Sequence, residues 1–170
     1  MDLAAQLNRR NIRPKAVFFT HLHPDHTGGV PALGPQTEFI FGKAEASFLA
    51  RAAVANHFSG KSKFSSIDFS AAPLMPPLGP CVDIFGDGSF WAISVPGHTD
   101  DDIAYLINGV KPALLTGDAS HFAWAFANGV PPHGWNAAGT ARAYVSLDQL
   151  RAFAKRYPQV KLVYGHDQGF

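Results

Sequence analysis

Six consecutive residues, His21-Leu22-His23-Pro24-Asp25-His26, carry four side chains able to ligate a metal. The run directly follows the apolar stretch Ala16-Val17-Phe18-Phe19. Imidazole nitrogens and a carboxylate suit zinc and its divalent neighbours. Four donors this close exceed what one tetrahedral ion comfortably takes from a single loop, so the spacing points to two ions. It also constrains the fold, because the donors sit where a buried strand ends and further donors must arrive at the same edge from elsewhere in the chain.

The rest of the sequence supplies those other strand ends. Residues 2–10 read as a short amphipathic helix with Leu3 and Leu7 on one face and Arg9 and Arg10 at its C-terminal end. Pro14 stops it, and Lys15–Thr20 reads as a strand. Thr37–Phe41 is a second strand. Lys43–Phe58 reads as an alanine-rich helix with Phe48, Leu49, Ala52 and Val54 facing the core. Residues 59–89, with Pro73, Pro76, Pro77 and Pro80, read as irregular surface connection, with a lid or substrate-facing loop as the alternative. Phe90–Val95, Ile103–Asn108, Ala113–Thr116 and Val160–Tyr164 are strands, the middle two joined by a turn at Asn108-Gly109. Ser146 and Gln149 resemble a capping box for a helix over 147–157, which Pro158 ends. Mixed strands and crossover helices indicate a layered α/β (α+β) sandwich.

Each candidate ligand follows one of these strands: His21 to His26, then His98, Asp118 and His166. Strand ends on one sheet edge converge, so distant segments can build one site. Gly97, Gly117 and Gly165 immediately precede His98, Asp118 and His166, as tight turns that aim a side chain inward require.

Composition narrows the partners. The chain has 170 residues, 46% of them hydrophobic, enough for one sizeable core and one domain over 1–170. A net charge of +1 without a basic block points away from nucleic acid and anionic membranes. No apolar run approaches the ~20 residues of a membrane helix. The first residues lack the features of a signal peptide, and Cys81 is the single cysteine, so the expected location is the reducing cytoplasm.

With all four blocks in order, the chain resembles the metallo-β-lactamase superfamily of metal-dependent hydrolases. The matching residues are His21, His23, Asp25 and His26 in H-x-H-x-D-H, His98 in Pro-Gly-His-Thr, Asp118 in Thr-Gly-Asp and His166 in Gly-His-Asp. The resemblance runs from about residue 16 to 167. It implies an αββα sandwich and two divalent ions, zinc first, with iron, manganese or cobalt as alternatives. One ion would be held by His21, His23 and His98, and the other by Asp25, His26 and His166. Asp118 would bridge them together with a hydroxide that attacks an electrophilic centre. Members of this superfamily usually carry several strands ahead of the histidine run. Twenty residues precede His21 here, so the expectation is a domain truncated at its N-terminus, with association into a homodimer as one consequence.

Among the branches, the chain most resembles N-acyl-homoserine lactonases, which carry Asp-Ala-Ser-Tyr at the bridging aspartate. Here that stretch reads Asp118-Ala119-Ser120-His121. The carboxylate at 118 departs from the Cys or Ser of several true β-lactamases. His121 stands in place of the tyrosine that assists at the lactone oxygen, and an imidazole can donate a hydrogen bond or a proton there. The catalytic residues implied are therefore Asp25, Asp118 and His121, acting on a small lactone or related ester. Glyoxalase II-like thioester hydrolysis, an iron-dependent sulfur dioxygenase of the same fold, and a non-catalytic metal-binding module are the alternatives.

Other residues carry weaker signals. Asp100-Asp101-Asp102 reads equally as a turn cap or hydrogen-bond partner of a ligand histidine and as a solvated loop. His57 reads as a surface residue near a helix C-terminus, and His133 as a loop residue. Phe122, Trp124, Phe126 and Trp135 read first as packing and second as an acyl pocket. Cys81 reads as a small buried residue.

Overall fold

Helix α1 (Leu3–Arg9) begins where Asp2 caps it, its side chain accepting from the Ala5 backbone N–H at 2.7 Å. It buries none of its residues fully, although Leu7 packs against the adjoining core. The computed structural model describes residues 2–167, which divide into two compact units, one ending at Ile67 and one starting at Asp68.

The first unit is built on a parallel sheet of order β1-β2-β3, from Ala16–Phe18, Glu38–Gly42 and Phe64–Ile67. Parallel neighbours need crossovers. The first crossover carries the histidine run, whose second half forms the short helix α2 (Pro24–Thr27). The second carries a 3₁₀ helix (Lys43–Ala50) and helix α3 (Ala52–His57). The single helix expected over 43–58 is thus broken at Arg51, whose backbone is extended at φ −77°, ψ 128°. Phe48 and Val54 face the core as expected, but Ala52 is exposed. Aromatic rings fill this core. Phe58 lies edge-on to Phe39 at 5.4 Å and to Phe19 at 5.8 Å.

The second unit is a five-stranded sheet of order β4-β5-β6-β7-β8: Cys81–Asp83, Phe90–Ser94, Ile103–Ile107, Ala113–Leu115 and Lys161–Val163. The first four are antiparallel neighbours, and β7 pairs β8 in parallel. Strands β5, β7 and β8 therefore run the same way and end on one edge. Residues 59–89, expected to be irregular, contain β3 and β4, short enough to hide among glycine and proline. β6 and β7 are joined by the whole segment 108–112, not by a two-residue turn.

Two helices accompany this sheet, α4 (Ala123–Asn128) and α5 (Ala137–Arg156). α5 starts ten residues before the expected 147. Its cap is Asn136, whose side chain accepts from Gly139 N–H at 2.8 Å. Ser146 is not a cap. It is buried in mid-helix and donates to the Pro96 carbonyl at 2.8 Å. Leu147 and Leu150 are wholly buried against Ile93, Val95 and Leu114. Cys81 lies in the same core, where burial pushes its thiol up to about 11. Among the described residues, no helix is long and apolar enough to cross a membrane.

Candidate metal centre

The two units each gather a share of the expected ligands. In the first, β1 delivers the chain to His21, which is fully buried. Its Nε2 lies 3.0 Å from Nδ1 of His23, and its Nδ1 lies 3.1 Å from Thr20 Oγ1. The His21 and His26 rings are 4.1 Å apart, and His26 Nε2 is 3.4 Å from the exposed Asp25 carboxylate. Pro24 at the first position of α2 turns the chain so that Asp25 and His26 fall on its first turn.

A residue not singled out from the sequence fixes this loop. The Glu45 carboxylate is fully buried and accepts from the Leu22 backbone N–H at 2.9 Å, between the two histidines. In an alanine-rich segment a glutamate reads as solvent-facing, so no pattern signalled it. His57 also differs from its expected surface role: its Nδ1 is 2.8 Å from the buried Thr27 hydroxyl at the end of α2.

In the second unit, His98 follows β5, Asp118 follows β7 and His166 follows β8, all at the common edge. The Nε2 atoms of His121, His166 and His98 lie 3.0, 3.2 and 3.4 Å from one oxygen, Oδ2 of Asp118. That carboxylate is buried, whereas the His121 and His166 side chains are 30% and 37% exposed, so the cluster opens outward. The loops interlock through backbone bonds from Gly165 N–H to the Ser120 carbonyl (3.2 Å) and from His166 N–H to the His121 carbonyl (2.9 Å).

Two glycines make this arrangement possible for different reasons. Gly117 takes φ 54°, the left-handed region. Gly165 is needed for space, since a Cβ there would collide with Asp118 Oδ1 and stand 2.8 Å from the Gly117 carbonyl oxygen. The first half of α5 steadies His98: Ala143 packs directly on Gly97, and Arg142 pairs with Asp100 at 2.5 Å. Asp100 is therefore a surface partner of α5, while Asp102 is buried. Asp167 accepts from Ala123 N–H at 3.0 Å. Tyr164 holds its proton more tightly than usual, through burial first and the Asp167 charge second. Phe126 is core, packed on Tyr164 at 5.5 Å. Phe122, Trp124 and Trp135 are exposed, and Phe122 borders His121 at 5.8 Å between ring centres. His133 is an exposed loop residue.

The donor chemistry fits divalent ions. Neutral imidazoles and a carboxylate are the ligands zinc favours, and in this structure His121 and His166 each share a hydrogen bond with the Asp118 carboxylate.

Known proteins match this pattern. The family model of the metallo-beta-lactamase superfamily matches residues 1–166. N-acyl homoserine lactonase AttM of Agrobacterium fabrum is 28% identical over 159 residues, covering 90% of this chain and 58% of that protein. A hydroxyacylglutathione hydrolase of Halorhodospira halophila is 33% identical over 124 residues, covering 68% of this chain and 36% of its own length. The chain thus spans well under two thirds of either relative. A solved N-acyl homoserine lactone hydrolase with N-hexanoyl-L-homoserine at its catalytic metal centre has a TM-score of 0.73 at 22% identity, over 97% of this chain and 62% of that one. The two sheets and their helices are those of this fold.

Proposed function

Because the chain belongs to the metallo-beta-lactamase superfamily, we propose that it is a metal-dependent hydrolase that opens a lactone or a related ester. The observation that carries this reading is the convergence of three imidazoles on one buried Asp118 oxygen at 3.0–3.4 Å. The ligand division carried over from the family pattern belongs to the reading: His21, His23 and His98 for one ion, Asp25, His26 and His166 for the other, Asp118 for both. Divalent ions held by these donors would supply an activated water near neutral pH and a Lewis acid for the scissile carbonyl.

The chain's own residues do the rest. Asp118 neutralises positive charge from a buried position and holds the imidazoles in place. Gly165 leaves room for that carboxylate, and Glu45 fixes the peptide between His21 and His23. Asp25 contributes a second carboxylate at the histidine run. His121 occupies the place of the lactonase tyrosine, on the open side of the cluster, where it can donate to the leaving oxygen once substrate is bound.

The 28% identity to a lactonase over 90% of the chain favours the lactone. The 33% identity to a hydroxyacylglutathione hydrolase supports thioester cleavage as the second reading. Metal-supplied protein assayed on an N-acyl homoserine lactone, a simple ester and an acyl-glutathione thioester separates them. Lactone turnover abolished by Asp118→Ala is the expected result. Full activity in that variant refutes the mechanism.

A further inference from the structure

His121 stands closer to Asp118 than either of the histidines carried over from the family pattern. From its geometry we infer that His121 is itself a metal ligand in the resting protein, forming with His98 and Asp118 a cation site contained within the second unit. This deepens the metal chemistry proposed above and rests on it, but it assigns His121 a different resting role from leaving-group donor.

Three observations carry the assignment. The ligand atoms of His98, Asp118 and His121 all lie within 4.8 Å of one another. With metal–nitrogen and metal–oxygen bonds of about 2.0–2.2 Å, two donors of one tetrahedral ion stand roughly 3.4 Å apart. The His98 nitrogen lies 3.4 Å from the Asp118 oxygen, at that spacing, and the His121 nitrogen lies 3.0 Å from it, a hydrogen-bond distance that a small opening converts to that spacing. Finally, the His121 ring is braced for ligation. Its backbone carbonyl is held by His166 N–H at 2.9 Å, and the His166 and Phe122 rings flank it at 4.6 and 5.8 Å.

A tyrosine at this position would offer a neutral phenol, a poor ligand near neutral pH, whereas an imidazole offers a lone pair. The replacement therefore changes metal binding as well as proton donation. A nitrogen bound to a cation cannot donate a hydrogen bond, so Nε2 of His121 would have to leave the ion before that nitrogen could assist the leaving oxygen.

The test is Co(II) titration of the full chain, read by visible absorption and by competition with a chelator. The variants are His121→Phe, His121→Tyr, His21→Ala/His23→Ala, and the triple combination with His121→Phe. If His121 is a ligand, the His21→Ala/His23→Ala chain still binds one Co(II), and adding His121→Phe lowers that affinity by more than about 100-fold. Losing an outer hydrogen-bond partner costs only about 10–100-fold. His121→Tyr, which keeps a polar ring, should lose the same affinity and shift the Co(II) bands. Far-ultraviolet circular dichroism checks that each variant is folded. The assignment is overturned if folded His121→Phe and His121→Tyr bind Co(II) as the parent does, or if the His21→Ala/His23→Ala chain binds none. Failure of the cobalt-loaded parent to hydrolyse any lactone or ester counts against the proposed function alone.

Discussion

Gly165→Ala tests the packing that lets Asp118 sit beneath the imidazoles. The added Cβ would collide with Asp118 Oδ1 and lie 2.8 Å from the Gly117 oxygen and 3.2 Å from its carbonyl carbon. Neither neighbour can yield easily. Gly117 is backbone in the left-handed region, and the other oxygen of Asp118 is held at 3.0–3.4 Å by three imidazoles. The 164–166 segment must therefore move, straining the bonds from Gly165 N–H to Ser120 and from His166 N–H to His121. Inserting a methyl group into a tight site costs about 1–3 kcal/mol. At about 2–4 °C per kcal/mol for a chain of this size, the melting temperature should fall roughly 2–12 °C. Displaced supporting contacts should also weaken zinc binding by about 10–100-fold. Thermal melts of metal-free protein and zinc competition titrations measure the two effects. Gly109→Ala is the control, because a Cβ there meets nothing within 4 Å. A Gly165→Ala protein with the parent's melting temperature and zinc affinity would refute the reasoning.

Other expectations address separate features. Glu45→Ala leaves the Leu22 N–H buried without its acceptor, a loss of about 1–3 kcal/mol, whereas Glu45→Gln keeps an acceptor and should lose less. Equal urea midpoints for the two variants would count against the loop-fixing role. Leu147→Ala empties a fully buried position between α5 and the sheet, and should cost about 2–5 kcal/mol in urea unfolding. Burial raises the Cys81 thiol from 9.0 to about 11. The folded thiol keeps its proton where the unfolded one loses it, so its share of stability is whole below about pH 9 and falls as pH rises towards 11. Two pH units correspond to about 3 kcal/mol. Cys81→Ala should therefore lose less stability than the parent between pH 8.5 and 10.5, and parallel curves would contradict the assignment.

The gathering of donor-type residues at strand ends is legible because such residues crowd at the ends of apolar runs, and strand ends on one edge converge. The strands leading to His98, Asp118 and His166 lie within a residue or two of their expected positions for the same reason. α5 was half hidden. Its first turns, Ala137 to Val145, expose Tyr144 and Val145 and include Gly139, so they show no apolar stripe. Ser146, three residues before Gln149, mimicked a cap, but its hydroxyl is spent on Pro96. The missed half of the helix is the part that braces His98. The break at Arg51 went unseen because alanine-rich sequence fits α and 3₁₀ turns alike. β3 and β4 span four and three residues, too few for a period to register. Glu45 and Thr27 were illegible because their importance lies in tertiary partners, 23 and 30 residues away in sequence.

The most direct test of a metal-dependent hydrolase is metal content and N-acyl homoserine lactone hydrolysis measured on one preparation, before chelation, after it, and after zinc is restored. The expected result is about two ions per chain, with activity lost with the metal and regained with it. Hydrolysis that survives complete metal removal, or a fully supplied protein holding less than one ion per chain, would contradict it.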